Sequence, residues 1–249
     1  TRARDIADTT TTASPADLHD PVADRTRVAT GTGVSVIRDW EAGADSLQVS
    51  LSGEAVIGGL AGMTLDSANT HWDGANTVDL RNDVTNNGLI NIAAGSGTND
   101  IYLSTGADKV WTGYEYLVAS GDQWIDGVSA PTAASGTVTD NLWGWDGVTD
   151  NRDSLAVGSG DTAVIASLLG MDPTSGDRWD GDDTVDLRSN VTNAGTIIVS
   201  TESGDNTVYG SDGVDHIYGS AGAGKTNQVW GGSGADTFNV GISRAIDGT

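Results

Sequence analysis

A long stretch of this chain is written twice. His71-Trp72-Asp73-Gly74 and Thr77-Val78-Asp79-Leu80-Arg81 return 107 positions later as Arg178-Trp179-Asp180-Gly181 and Thr184-Val185-Asp186-Leu187-Arg188. Val84-Thr85-Asn86 with Gly88 matches Val191-Thr192-Asn193 with Gly195. Upstream, Ala55-Val56-Ile57 through Gly62-Met63 matches Ala163-Val164-Ile165 through Gly170-Met171. Copies of this kind must adopt the same supersecondary structure and bury their apolar faces against one another. The reading divides the chain into an N-terminal extension (1–30), unit one (31–130), unit two (131–241) and a tail or the start of a further unit (242–249).

Inside each unit runs a shorter period of nine. Gly231-Gly232-Ser233-Gly234-Ala235-Asp236-Thr237-Phe238-Asn239 fits G-G-x-G-x-D-x-U-x at every defined position. Gly210-Ser211-Asp212-Gly213-Val214-Asp215-His216-Ile217-Tyr218 differs by one Ser for Gly, 201–209 forms another row, and 219–230 carries three extra residues. Weaker rows lie at 94–102 and 103–111, and outlying ones surround Gly74-Asn76-Val78 and Gly181-Asp183-Val185.

These rows resemble the RTX family of secreted calcium-binding repeat proteins, over about forty residues of unit two and about twenty of unit one. The resemblance implies an all-β fold: a right-handed parallel β-roll or β-solenoid in two tandem units. The residue types agree. Gly permits tight turns at positive φ, and x-U-x is a short strand whose central apolar side chain points inward. Two rows make one coil of about 18 residues, with coils stacked roughly 4.8 Å apart. Turns on one side then converge, and their Asp carboxylates and Gly carbonyls form an all-oxygen cage suited to calcium.

The expected metal residues are Gly210, Asp212, Gly213, Asp215, Gly231, Gly232, Gly234 and Asp236, with Asp215 and Asp236 flanking one ion. Asn206 and Asn227 hold the equivalent place opposite, with neutral amides that bind more weakly. In unit one Asn76 and Asn99 stand at the Asp position and only Asp108 keeps the carboxylate, while Asp183 belongs to an outlying row. Calcium is therefore expected mainly in residues 204–236. For the Asn rows the alternative is a metal-free stack held by amide ladders.

The formal net charge of −23, with 12 Lys and Arg against 35 Asp and Glu, argues against nucleic acid or an anionic membrane as partner. Of the acidic residues 31 are Asp, which favours turns and metal loops over helix surfaces. The absence of Cys excludes disulfides, thiolate zinc sites and a cysteine nucleophile. No run of about 18 apolar residues suggests membrane insertion. The sequence opens without Met or an apolar signal core, which reads as a processed chain or an excised piece.

Between the repeat rows, Ala163 to Met171 reads as a short helix, one per unit, capped by Asp161 or Thr162. Val36 to Trp40 followed by Gly43 to Leu47 reads as a strand and turn, partly repeated at Asp153-Ser154-Leu155. Tyr209 and Trp230 fall at the outward end of their rows and should stack. Trp72 and Trp179 read as core. Gly219 to Thr226 satisfies the phosphate-loop pattern G-x-x-x-x-G-K-[ST], but the following residues lead into a strand where that loop needs a helix. The three His (His19, His71, His216) are scattered, and paired carboxylates recur as turns rather than as a cleft dyad.

The chain is expected not to be an enzyme. The leading expectation is a calcium-stiffened extracellular structural protein of a bacterial cell surface, a surface-layer or adhesin segment that self-associates or meets a cell-surface glycan. Alternatives are the calcium-dependent secretion and folding module of a type I-exported hydrolase, and a glycan-binding module using the aromatic face.

Overall fold

The computed structural model describes residues 26–29, 34–37, 40–57, 60, 69–70, 75–115, 118–119, 132–133, 137–147, 153–168, 171, 182–201, 204–219 and 225–240. Among these the chain is all β, and most strands pair in parallel. A seven-stranded sheet runs Thr77–Asp79, Gly97–Tyr102, Val138–Trp143, Thr162–Ile165, Thr196–Thr201, Val214–Gly219, Thr237–Val240. A six-stranded sheet runs Val34–Ile37, Glu54–Ile57, Leu89–Ile92, Ala107–Thr112, Ser154–Val157, Val191–Asn193. Two three-stranded sheets join Thr26–Ala29, Ser46–Val49 and Val84–Asn86, and Thr184–Asp186, Thr207–Tyr209 and Gln228–Trp230. In every one of these sheets spatial order follows chain order.

The strands are short and rich in Val, Ile and Thr, and they alternate in burial. Val138–Trp143 and Val214–Gly219 show strict alternation of buried and half-buried residues, as a pleated strand with one inward face requires. The inward residues, from Ile37 and Leu47 through Ile92 and Val110 to Val199 and Ile217, form one continuous apolar core.

The sequence duplication is reproduced as pairing. Ser46–Val49 pairs with Val84–Asn86, and its copy Ser154–Val157 pairs with Val191–Asn193. Glu54–Ile57 lies on Leu89–Ile92 as Thr162–Ile165 lies on Thr196–Thr201. Thr77–Asp79 lies on Gly97–Tyr102 as Thr184–Asp186 lies on Thr207–Tyr209. The 18-residue step between partners occurs at Leu89↔Ala107 and Thr196↔Val214. Longer steps, such as Lys109↔Ser154, occur where non-repeat sequence intervenes, since chain inserted between ladder rungs need not disturb their register.

The helix expected over Ala163 to Met171 is overturned. Thr162–Ile165 is a strand between Val138–Trp143 and Thr196–Thr201, and its unit-one copy Glu54–Ile57 is a strand as well. The segment is apolar on both faces because both are covered: Ala163, Val164 and Ile165 are all buried. A short apolar run fits a two-sided buried strand as well as a helix, and β-branched Val and Ile tip it to the strand. Trp72, Trp179, His71, His19, Leu169, Gly170, Gly181 and residues 1–25 and 242–249 lie outside the described residues.

Candidate metal site and carboxylate ladders

The turns bring most of the expected residues together in columns. Asp215 lies beside Asp236 on adjacent strands, its main-chain N–H donating to Asp236 Oδ1 at 3.1 Å. Asn206 lies beside Asn227, Nδ2 to Oδ1 at 3.1 Å. Asp108 belongs to the other sheet and meets Asp153, again main-chain N–H to Oδ1, at 3.0 Å. Asn99 stands between Asn76 and Asp140: its Oδ1 accepts the Asn76 N–H, and its Nδ2 donates to Asp140 Oδ1 at 2.7 Å. Asp183 donates its N–H to Asn206 Oδ1 at 3.0 Å, and Val138 donates to Asp161 Oδ1 at 2.8 Å. Five of these contacts follow one rule, and the Asn206–Asn227 and Asn99–Asp140 bonds are made by side-chain amides instead. In the five, the side-chain oxygen at the Asp/Asn position accepts a main-chain N–H from the strand or turn paired before it, so it satisfies a buried donor that would otherwise be costly.

A second set of donors fixes the carboxylates from within their own turns. Asp108 Oδ2 accepts the Ser104 N–H at 2.7 Å and the Ser104 hydroxyl at 2.8 Å, and Asn86 Nδ2 donates to Ser104 Oγ, the Ala107 carbonyl and Asp108 Oδ1. In unit two Asp215 accepts the Ser211 N–H and hydroxyl at 2.7 and 2.9 Å, and Asn193 Nδ2 donates to Ser211 Oγ and the Val214 carbonyl. Ser104, Ser211, Asn86 and Asn193 were missed as site residues. Their signal was present, because Ser104-x-Gly106-x-Asp108 recurs 107 positions on as Ser211-x-Gly213-x-Asp215. Asp153, Asp146, Asp140 and Asp161 were missed too, since none sits in a nonapeptide.

Gly106 and Gly213 are glycine for want of room. A Cβ there would lie 2.1 Å from the Asn86 carbonyl and 2.3 Å from that of Asn193.

Burial raises the buried carboxylates. Asp108 and Asp140 are pushed to about 7 by loss of water. Asp153 is pushed to about 9 by burial and then by the neighbouring Asp108 charge. Asp215 rises to about 6, again through burial, with Ser211 opposing and Asp236 adding to it.

The surroundings of these oxygens differ between the units. Around Asp108 and Asp153 every carboxylate oxygen already accepts a hydrogen: Asp153 takes the Asp108 N–H on Oδ1 and the Asp146 N–H on Oδ2. Each of those oxygens is thus already supplied with an N–H or O–H donor from the protein itself. At the last described turns of unit two the oxygens are more open. Asp236 is half-buried and Asp212 exposed. A Cβ on Gly231 would fall 2.4 Å from Asp236 Oδ2, while Cβ atoms on Gly232 and Gly234 would fall 2.2 and 2.0 Å from the Ser211 and Gly213 carbonyls. These glycines, with Gly210 against the Gly231 carbonyl, let one turn pack closely on the next and bring main-chain carbonyls up to the turn that carries Asp236. Among the described residues no group of three or more His, Cys, Asp or Glu side chains is gathered around a common point. A cation there would use main-chain carbonyls beside Asp236 and Asp212.

On the outer faces, Tyr102 stacks on Trp143 (5.7 Å between centroids) and Tyr209 on Trp230 (4.8 Å). The unit-matched Arg81 and Arg188 lie over Tyr102 and Tyr209 and pair with Asp79 and Asp186. His216 is a half-buried strand residue, and Thr226 is followed, after Asn227 alone, by the strand Gln228–Trp230.

No family model matches this chain, and comparison with curated proteins and with solved structures finds no match either.

Proposed function

We propose that the chain is a segment of an extracellular, calcium-binding structural protein: a β-solenoid of tandem units, of the surface-layer or adhesin kind and without catalytic activity of its own. The observation that carries this reading is the copying of entire units into the same strand pairings, non-repeat strands included. A scaffold grows by such duplication, each unit supplying the surface on which the next is laid. In this reading the coil interior is held by apolar side chains and by carboxylates that accept N–H and O–H donors. Calcium is confined to the open turns around Asp212, Asp236 and the Ser211 and Gly213 carbonyls, with Asp215 supporting them from beneath. Affinity in the range of extracellular modules, about 10⁻⁴–10⁻³ M, would leave the turns filled outside a cell and empty in the cytosol.

Electron microscopy of the chain at several millimolar calcium and in chelator tests the structural role. Calcium-dependent sheets or filaments are expected; monodisperse particles in both conditions would favour the secretion-module alternative.

A further inference from the structure

In a chain of net charge −23, a cation without a carboxylate partner stands out. Among the four Lys and Arg side chains that are described, Arg81 pairs with Asp79, Arg188 with Asp186, and Lys225 approaches Asp182 at 3.9 Å. Lys109 has no carboxylate partner among the described residues. Its ammonium lies 4.1 Å from the centroid of the Trp111 ring, and Trp111 meets Tyr114 edge-on at 5.7 Å. Together these three border a cavity of about 500 Å³ on the outer face of the six-stranded sheet, completed by Ser154, Ala156, Asn190 and Thr192. Among the described residues no acidic side chain lines it, although the chain carries 35 acidic residues.

The hollow has a definite origin in the sequence. Trp111, Ala156 and Thr192 are neighbours across three parallel strands, and the small Ala156 leaves a notch between the larger two. The same strand occurs twice more, as Asp45-Ser46-Leu47-Gln48-Val49 and Asp236-Thr237-Phe238-Asn239-Val240, with Gln48 and Asn239 in place of Ala156. The next strand's turn differs in the same direction. Asn190 and its unit-one copy Asp83 both hold the left-handed conformation, φ 63° and 58°, yet only the copy that borders the cavity has lost its charge. The cavity exists where unit one meets unit two, and each difference there makes it roomier or less negative.

We propose that this junction cavity binds a carboxylated saccharide. The Lys109 ammonium meets the carboxylate, Trp111 and Tyr114 present ring surfaces to the C–H faces of the sugar, and Ser154, Asn190 and Thr192 hydrogen-bond its hydroxyls. The volume suits one or two sugar rings, and the mixed lining, aromatic rings beside hydroxyl and amide groups, matches the alternation of C–H faces and hydroxyls on a sugar. The inference stands apart from the calcium reading, since Asp212 and Asp236 take no part in it.

The test is calorimetric and fluorescence titration of the full chain with an oligogalacturonide, its uncharged galactan counterpart and acetate. The acidic oligosaccharide is expected to bind at least ten-fold more tightly than either control and to perturb tryptophan emission. Lys109→Gln should bring its affinity down to that of the uncharged oligosaccharide. Ala156→Gln, which installs the residue of the unit-one copy, should abolish binding with unchanged circular dichroism. Equal affinity for the uncharged sugar, acetate binding as tightly as the oligosaccharide, or no binding at millimolar concentration would overturn the proposal. So would binding that survives Lys109→Gln but is lost in chelator, because calcium bridging at acidic turns would then explain it.

Discussion

The main-chain N–H of Asp108 donates to Oδ1 of Asp153 across two adjacent parallel strands, and both side chains are shut away from water. One residue belongs to unit one and the other to unit two, so two like charges meet inside the junction. Burial favours their protonated forms. The unfolded chain titrates near 4 and the folded pair far higher, so between those values the folded state holds more protons. Stability should therefore fall as pH rises, by the linkage relation. In chelator, the melting temperature is expected to be higher at pH 5 than at pH 8 by at least about 5 °C. A thermal scan by circular dichroism checks it, and Asp153→Asn should flatten the dependence.

Ser104 and Ser211 each give two hydrogens to a buried carboxylate. Removing the hydroxyl leaves the main-chain donor but strips one partner from a group that water cannot reach. Ser104→Ala and Ser211→Ala should each lower unfolding free energy by about 1–3 kcal/mol, measured by urea denaturation. A change within about 0.5 kcal/mol would mean that those carboxylates find solvent or another donor.

Two glycines of different kinds make a matched comparison. A Cβ at Gly106 would meet the Asn86 carbonyl, whereas one at Gly43 meets nothing within 4 Å and only has to tolerate a φ of 80°. Gly43→Ala should cost about 1–2 kcal/mol through backbone conformation alone. Gly106→Ala should cost clearly more, since two backbones would have to separate; equal losses would deny the close approach.

Leu155 and Phe238 occupy the same place in two copies of one strand. Leu155 is buried beneath Val191–Asn193, while Phe238 on the last described strand is 46% exposed. Leu155→Ala should destabilise by about 2–5 kcal/mol, and Phe238→Ala by under about 1 kcal/mol.

The strand content and the columns of Asp and Asn were legible in the sequence because both follow from periodicity. Asp215 with Asp236, Asn206 with Asn227, and Tyr209 on Trp230 each come from rows whose spacing alone fixes the stacking. The segment Ala163 to Met171 was not legible. An apolar run covered on both sides carries no period, so helix and buried strand look alike there. Ser104, Asn86 and Asp153 were hidden for a different reason: their contacts join residues 4, 22 and 45 positions from Asp108, and only the fold shows which turns meet. Nor does spacing tell whether a turn carboxylate faces an ion or an N–H, since either satisfies it.

Whether calcium sits at the Asp236 turn is decided by calorimetric calcium titration of the unaltered chain beside Asp236→Asn and Asp108→Asn. Saturable binding near 10⁻⁴–10⁻³ M is expected, weakened at least ten-fold by Asp236→Asn and left intact by Asp108→Asn. Binding of unchanged strength in Asp236→Asn, its loss in Asp108→Asn, or its absence from the unaltered chain would rule out calcium at the Asp236 turn.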